Sequence, residues 1–195
     1  VYHLAAIHFI PDCNSNPSKA LQINTVGTES VLNACNNCGI KQIILASTAA
    51  VYPINDFPNI EDKTPAKPID IYGYSKLFSE MLLKKFQNET GIQSIALRLF
   101  NAVGPRETNP HVIPHIFLSA KDTDIIPLGN LEPRRDYIHV DDIATAFLQV
   151  TQNSTDVNDF DVFNVGSGKE YSVVDLTIMI GNILGRELKV EKKDE

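Results

Sequence analysis

The chain has 195 residues, of which 43% are hydrophobic, and a formal net charge of −7. This length and composition allow a sizeable buried core. The acidic balance argues against a general surface for nucleic acid or for an anionic membrane, and no apolar run approaches the ~18 residues of a membrane-spanning helix. We therefore predict neither a nucleic-acid partner nor a membrane partner.

The first residues, VYHLAA, predict the end of a strand that runs into a turn of small residues. His3 is expected to be a hydrogen-bonded structural side chain. Because the chain starts at Val1, without Met and in the middle of a strand, we expect it to be a fragment. Its three cysteines favour a reducing compartment, since an odd number is awkward for a disulfide framework, and we predict a cytoplasmic protein.

A loop at 7–16 is expected to lead into one long helix. Pro17 suits a first helical position, the apolar residues after it approximate a helical spacing, and Gly39 provides the stop. The apolar run 43–46 then predicts a strand of a parallel sheet that is covered on both faces.

A surface loop with four prolines is predicted at 53–70, followed by a helix from Tyr72 to Thr90 that ends at Gly91. The apolar stripe of this helix is expected to consist of Leu77, Met81, Leu82 and Phe86. Tyr72 and Lys76 are four residues apart, which places both side chains on one face of the helix.

Small hydroxyl residues, Ser47 and Thr48, follow the 43–46 strand at the point where strands of open α/β sheets meet their ligands. A hydroxyl, a phenol and an ammonium can therefore converge in one cleft. A free phenol has a pKa of ~10, and the cation of Lys76 is expected to lower the pKa of Tyr72. Tyr72 could then take a proton from a substrate hydroxyl while a hydride leaves the adjacent carbon for a nicotinamide cofactor.

Later elements alternate between strands and helices. The patterns predict strands at 94–100, 125–129 and 161–165, and helices at 111–120, 143–150 and 172–184. Asp141 or Asp142 is expected to cap the 143–150 helix, and Ser172 the last one. His111 and His115 are four residues apart, but no H-E-x-x-H pattern accompanies them, and we predict no metal site.

Several segments carry a resemblance to one family. STAAVY at 47–52 and YGYSK at 72–76 resemble the extended short-chain dehydrogenase/reductases, the NAD-dependent nucleotide-sugar epimerases and dehydratases. The match continues through VYHLAA at 1–6, the N-x-x-G-T pattern at 24–28, NAVGPR at 101–106 and RRDYIHVDD at 134–142. We assign the N-x-x-G-T pattern to structure.

The resemblance implies NAD as the cofactor. It also implies that Tyr72 is the catalytic acid and base, that Lys76 lowers its pKa and holds the nicotinamide ribose, and that Thr48 binds the reacting sugar oxygen. The positions implied for cofactor binding are Leu4, Ala5, Ala6, Ser47, Tyr72 and Lys76.

A nucleoside-diphosphate sugar is the implied substrate. Asn101 and Arg135 match the family positions that contact its diphosphate, and Thr48 is the third substrate-binding residue. An amide at a strand end and a planar guanidinium are both sensible partners for phosphate oxygens. The resemblance further implies a homodimer when the protein is full length.

The expected fold is α/β. Residues 1–105 are predicted to form the later half of a Rossmann-like, doubly wound parallel sheet. Residues 106–195 are predicted to form mainly a small α/β substrate domain, with crossings between the two domains.

The expected reaction is epimerisation at C4 of the sugar through a transient 4-keto intermediate. The resembled dehydratases place an Asp-Glu pair directly after the Thr, and here those positions are Ala49 and Ala50, which cannot transfer protons. Alternatives are a dehydratase, a reductase or a decarboxylase on the same scaffold. A non-catalytic NAD-sensing protein is an alternative of another class.

Overall fold

The computed structural model describes residues 1–107, 109–153 and 160–193. The elements in chain order are β1 (Tyr2–His3), α1 (Ile10–Ser15), α2 (Pro17–Leu21), a π-helical segment (Gln22–Val26), α3 (Gly27–Asn37), β2 (Gln42–Thr48), a 3₁₀ turn (Ala49–Val51), α4 (Ile71–Thr90), β3 (Gln93–Leu99), β4 (Asn101–Val103), α5 (Val112–Ser119), β5 (Ile125–Leu128), β6 (Arg134–His139), α6 (Val140–Asn153), β7 (Asp161–Val165), β8 (Glu170–Ser172), α7 (Val173–Leu184) and β9 (Lys189–Lys192).

Two compact units interleave along the chain. The first unit is Val1–Phe100 with Asp141–Val165, and the second is Asn101–Val140 with Gly166–Glu195. The division into domains 1–105 and 106–195 stays a prediction. Thr108, 154–159 and 194–195 fall within the second predicted domain but lie outside the described residues.

The first unit contains a parallel sheet with the strand order β1-β2-β3-β7. Ile43, Ile44 and Leu45 of β2 have no exposed surface, as expected for a central parallel strand covered on both faces. The register pairs Thr48 at the end of β2 with Leu99 at the end of β3. The predicted α/β fold with a parallel sheet is confirmed.

Helix α4 is bounded as the sequence predicts, but its buried face is different. The Asp70 carboxylate accepts a hydrogen bond from the Gly73 backbone N–H at 2.8 Å, and Gly91 ends the helix with a φ of 71°. Leu83 and Phe86 pack into the core, whereas Met81, expected there, is 60% exposed. The prediction for Met81 is wrong because much of the inward face of α4 is polar: Ser75, Lys76, Ser79, Glu80 and Gln87 are all buried.

The long helix expected after Pro17 is interrupted. The π-helical segment at Gln22–Val26 separates α2 from α3. Such a segment adds one residue to a turn and rotates the side chains that follow. A second difference lies just before it, where Ile10–Ser15 forms the short helix α1 within the expected loop at 7–16.

The second unit has an apolar core between α5, α7 and short strands. β4 pairs with β6 in parallel, β8 pairs with β6 antiparallel, and β5 pairs with β9 in parallel. The core of this unit contains Ile116, Ala120, Ile126, Leu128, Leu176, Ile180 and Leu188. Ser172 caps α7 in a reciprocal capping box with Asp175, which confirms the predicted cap.

The predicted cap of the helix at 143–150 is wrong. Helix α6 already begins at Val140, so that Asp141 and Asp142 lie in its first turn, where their charge still favours the helix N-terminus. Among the described residues, no helix combines the length and the apolar character needed to cross a membrane.

Candidate active site

Thr48 stands at the carboxyl end of β2, where the strand passes into the 3₁₀ turn at Ala49–Val51. Its hydroxyl oxygen accepts a hydrogen bond from the Ala50 backbone N–H at 3.2 Å, and its side chain lies close enough to Tyr72 to lower the pKa of that phenol. The structure therefore brings Thr48 and Tyr72 together, as the sequence predicts.

Gly73 explains how α4 approaches this turn so closely. A Cβ atom at Gly73 would lie 2.3 Å from the Ala50 carbonyl oxygen and 3.0 Å from Cβ of Pro68. No side chain fits at that distance, so glycine is required for the first turn of α4 to reach the end of β2. Sequence analysis missed Gly73 as a site residue, although its position directly after Tyr72 was the available signal.

The pKa of Tyr72 moves opposite to the expected direction. Burial raises it to about 12, the hydrogen bond with Thr48 lowers it, and the fields of Cys13 and Asp70 raise it further. The net shift is therefore opposite to the lowering expected from Lys76, whose own effect on Tyr72 stays a prediction. Removal of the phenol from water disfavours phenolate more than the neighbouring groups favour it.

Lys76 lies one turn after Tyr72 on α4 and is 1% exposed. Burial lowers its pKa to about 8, against the field of Glu80, which raises it. An ammonium out of water is disfavoured unless a counter-charge is near. The charge of Lys76 therefore depends on its surroundings near neutral pH.

A buried ion pair that sequence analysis missed lies next along α4. Glu80 is 3% and Arg98 6% exposed. The guanidinium of Arg98 donates to the Glu80 carboxylate through Nε at 3.0 Å and Nη2 at 2.7 Å, and the Ser47 hydroxyl also donates to Glu80. Burial alone would lower the pKa of Arg98, but the hydrogen bond and charge of Glu80 outweigh it and raise that pKa. The signal was a charged residue inside the apolar strand SIALRLF.

The hydrogen bonds of Arg98 continue through Tyr52 to Asn164 on β7. Arg98 Nη1 donates to the Tyr52 hydroxyl at 2.8 Å, and that hydroxyl donates to Oδ1 of Asn164 at 2.8 Å. The guanidinium also lies 4.8 Å from the centre of the Tyr52 ring. Asn164 is further held by the loop at 53–70, because its backbone N–H donates to Glu61 at 2.6 Å.

Asn24, in the π-helical segment, anchors the other side of α4. Its amide donates to the Ser75 hydroxyl at 2.9 Å and to the Ile7 carbonyl at 2.8 Å, and its Oδ1 accepts from the Ile7 backbone N–H at 2.7 Å. The Asn24 carbonyl accepts hydrogen bonds from Thr28 at 2.6 Å and from Ser79 at 2.9 Å. The structural assignment of this part of the N-x-x-G-T pattern is confirmed.

The segment after β1 lies beside a cleft. His3 is 6% exposed, and its Nε2 hydrogen-bonds the Thr28 hydroxyl at 2.9 Å, which confirms a hydrogen-bonded histidine. Burial lowers the pKa of His3, and Lys76 lowers it further. His3 and Ala5 line a cavity of about 600 Å³ together with Gly27. Leu4 is 60% exposed.

Asn101 and Arg135 belong to the second unit, on the paired strands β4 and β6. The Asn101 amide donates to the Asp136 carbonyl at 3.0 Å, and Nη1 of Arg135 donates to the Arg134 carbonyl at 3.0 Å. Both side chains are exposed and keep further donors for a ligand. Asp136, which follows Arg135 on β6, is structural, since its carboxylate accepts hydrogen bonds from Ser167 and Gly168.

The parallel sheet, with a threonine at the end of β2 and with a phenol and a buried lysine one turn apart on α4, defines a Rossmann-type α/β protein. The chain belongs to the NAD dependent epimerase/dehydratase family, whose model matches residues 1–166. Within the described ranges, no group of three or more His, Cys, Asp or Glu side chains could hold a metal ion.

Relatives are similar along nearly the whole chain. The UDP-glucose 4-epimerase of Streptococcus mutans serotype c is 30% identical over 211 residues, which cover 98% of this chain and 63% of the relative. The GDP-6-deoxy-D-talose 4-dehydrogenase of Aggregatibacter actinomycetemcomitans is 26% identical over 197 residues, 100% of this chain and 65% of that protein. The chain thus spans a little under two thirds of the length of these relatives.

A solved structure is similar in the same way. UDP-glucose 4-epimerase from Brucella ovis, in complex with NAD, superimposes with a TM-score of 0.88 at 28% identity. The match covers 100% of this chain and 65% of the Brucella chain. The predicted family is confirmed.

Proposed function

We propose that the whole protein is an NAD-dependent epimerase that inverts C4 of a nucleoside-diphosphate sugar through a transient 4-keto intermediate. The observation that carries this proposal is the placement of Thr48, at the end of β2, beside Tyr72 on α4, with the buried Lys76 one turn further along that helix. Membership of the epimerase/dehydratase family supports the same chemistry.

The side chains fit an oxidised nicotinamide. Tyr72, with its pKa raised to about 12, needs a nearby positive charge to accept a proton at neutral pH. Bound NAD would supply that charge and the capacity to accept a hydride and return it. Ala5 and Gly27 line the cleft with little side-chain bulk, and Leu4, Ala6 and Lys76 are the further proposed contacts. Because the Ser47 hydroxyl donates to Glu80, its proposed contact would use the backbone or the hydroxyl oxygen.

Tyr72 is the proposed base in the first half of the reaction and the proposed acid in the second. It takes the proton of the sugar C4 hydroxyl, while Thr48 orients the phenol and binds the sugar oxygen. Lys76 stabilises the phenolate by its charge. Once the keto sugar has turned over, the hydride would return to the opposite face of C4 and so invert that centre, while Tyr72 gives the proton back to the oxygen.

Asn101 and Arg135 are the proposed diphosphate contacts. Both are exposed, and the guanidinium of Arg135 can offer two parallel donors to phosphate oxygens. A charge-assisted hydrogen bond of this kind contributes about 1.5–3 kcal/mol. Arg135→Ala is therefore expected to weaken binding of the sugar nucleotide more than binding of NAD, as measured by calorimetry.

Epimerisation is favoured over 4,6-dehydration by the residues after Thr48. A dehydratase must also move protons at C5 and C6, and Ala49 and Ala50 offer no group that can do so. A second candidate is oxidation or reduction at C4 with net turnover of the cofactor, because a relative is a 4-dehydrogenase of a GDP-linked sugar.

Product analysis separates these reactions. The whole protein is incubated with NAD and, in turn, UDP-glucose, UDP-N-acetylglucosamine and GDP-linked sugars, and the products are identified by NMR. A mixture of C4 epimers without net NADH supports the proposal. A 4-keto-6-deoxy product, or stoichiometric NADH, would contradict it, and binding of NAD with no product would favour a sensing role.

The outer face of α4 supports the proposed homodimer. Tyr74, Phe78 and Met81 lie on neighbouring turns and are 45%, 46% and 60% exposed. Light scattering of the whole protein is expected to give twice the monomer mass. Phe78→Lys, which places a charge on this exposed face, is expected to lower the measured mass. A monomeric wild-type protein at micromolar concentration would contradict this proposal.

Three free cysteines support the proposed cytoplasmic location. Cys13 and Cys35 are buried and Cys38 is exposed, and all three are unpaired, which suits a reducing compartment. Fractionation of the source cells, with the protein detected by antibody, tests this assignment.

A further inference from the structure

We propose that Glu80 is a positioning residue of this site: its carboxylate, on the same buried face of α4 and fixed by Arg98 and Ser47, keeps the Lys76 ammonium charged one turn from Tyr72. This inference deepens the proposed function and rests on the roles given there to Tyr72 and Lys76.

The geometry begins with helix spacing. Lys76 and Glu80 are four residues apart on α4, so their side chains share a face. Both are buried, and the Glu80 carboxylate receives donors from two strands: Ser47 on β2, and Nε and Nη2 of Arg98 on β3. A carboxylate held by three donors has a fixed direction, and its negative charge therefore has a fixed place relative to Lys76.

The single negative charge of Glu80 lies among two buried positive charges. Two cations, Lys76 and Arg98, share a buried region with the carboxylate of Glu80. Burial lowers the pKa of Lys76, and Glu80 opposes that effect. Without the carboxylate, two buried cations would remain, and the lysine is the one that can release its proton. A neutral Lys76 would no longer stabilise the Tyr72 phenolate.

The other titratable groups around Lys76 do not replace Glu80. Tyr72 lies on the same helix and is neutral at physiological pH, because its pKa is raised to about 12. His3 on β1 feels the charge of Lys76, and its pKa is lowered by burial first and by Lys76 second. His3 is therefore neutral above its lowered pKa and supplies no negative charge.

The test is a titration of Lys76 in the whole protein. The protein is labelled with ¹³C-lysine, and the ε-carbon signal of Lys76 is assigned by its disappearance in Lys76→Met. In Glu80→Gln the midpoint is expected to fall by about one pH unit or more, a tenfold loss of proton affinity. Glu80→Asp, which retains the charge, is expected to lie between the wild-type protein and Glu80→Gln.

A matched control and a second variant complete the experiment. Gln87 is buried on the same helix, and its Oε1 accepts from the Ser94 backbone N–H at 2.7 Å, so Gln87→Met removes a structural contact and is expected to leave the titration unchanged. Glu80→Gln with Arg98→Met leaves no unpaired arginine and guards against misfolding, since neutral replacement of a buried ion pair is often tolerated. This double variant is also expected to lower the titration midpoint of Lys76.

The outcomes are distinct. The alkaline limb of kcat is expected to move to lower pH together with the NMR midpoint in both Glu80 variants. An unchanged Lys76 midpoint in folded Glu80→Gln, or in the double variant if the single one does not fold, would overturn the inference. Absence of epimerase activity in the wild-type protein would overturn the proposed function instead, and the NMR titration would still test Glu80.

Discussion

Helices α4 and α7 begin and end in the same way but bury different chemistry. Each is capped by the side chain of the preceding residue, Asp70 or Ser172, and each ends at a glycine with positive φ. The buried face of α7 carries Leu176, Thr177, Ile180 and Gly181, whereas five of the eight residues buried on α4 are polar or charged. Helix α7 therefore packs into an apolar core, whereas α4 buries a set of polar and charged side chains.

The difference shows what stabilises a polar helix face. On α7 the removal of apolar surface from water suffices, and it requires no direction. On α4 every buried polar group needs a partner in a fixed direction. Asn24 supplies such partners for Ser75 and Ser79, and Arg98 and Ser47 supply them for Glu80. These contacts hold in place the helix that carries Tyr72 and Lys76.

The largest expected effect is loss of turnover without loss of fold. Tyr72→Phe removes the proposed proton acceptor but little contact surface, so kcat is expected to fall by ~100 to 10,000-fold while the sugar nucleotide still binds. The matched control is Tyr74→Phe, because Tyr74 lies on the same helix with its ring 45% exposed. Near-normal turnover in Tyr72→Phe would mean that another group is the base.

Shortening a buried side chain is expected to lower the free energy of unfolding more in α7 than in α4. Ile180→Ala in α7 leaves a cavity in an apolar core and is expected to lower the free energy of unfolding by about 2–5 kcal/mol. Ser79→Ala in α4 removes the hydrogen bond to the Asn24 carbonyl and is expected to lower it by about 1–3 kcal/mol. Urea titration measures both free energies of unfolding, and a larger loss in Ser79→Ala than in Ile180→Ala would contradict this expectation.

A closely packed glycine lies in each of the two helices. Cβ atoms at Gly73 in α4 and at Gly181 in α7 would lie 2.3 Å and 2.7 Å from backbone oxygens of Ala50 and Arg186. Alanine at either position is expected to destabilise by about 1–3 kcal/mol through overpacking. Only Gly73→Ala should also reduce kcat, since it moves Tyr72 from Thr48; a folded Gly73→Ala variant with full activity would refute that role.

The smallest expected effect comes from the caps. Asp70→Ala and Ser172→Ala should each lower the free energy of unfolding by about 1 kcal/mol, as is typical for an N-cap. Asp70 also raises the pKa of Tyr72, so its removal should lower the pH at which Tyr72 ionises, whereas Ser172→Ala should leave the pH profile of kcat where it is. A profile that moves in Ser172→Ala would speak against this separation.

The sequence predicts those helix ends and apolar strands that depend on local residues. The cap at Ser172, the stop at Gly91 and the strand through Ile43 all follow from neighbours along the chain. The pairing of Thr48 with Tyr72 is also predicted, through the family resemblance.

What the sequence does not predict depends on distant partners. The apolar pattern assigns Met81 to the core, because polar residues such as Ser75 and Glu80 are expected on a solvent-exposed face. In the structure these two are buried, since Asn24 bonds Ser75, and Ser47 and Arg98 bond Glu80. The sequence also predicts the wrong direction for the net shift of the Tyr72 pKa, because the spacing to Lys76 is visible in a sequence but burial is not.

The link between the proline-rich loop and β7 has a consequence for solubility. In the described part of the sheet β7 is an outer strand, and an outer strand offers unpaired backbone groups to any other strand. Glu61 takes the backbone N–H of Asn164, and the Asn59 carbonyl takes its side-chain amide at 2.9 Å. The loop thus covers part of an edge that could otherwise recruit a second sheet, and its four prolines make the covering segment a poor strand itself.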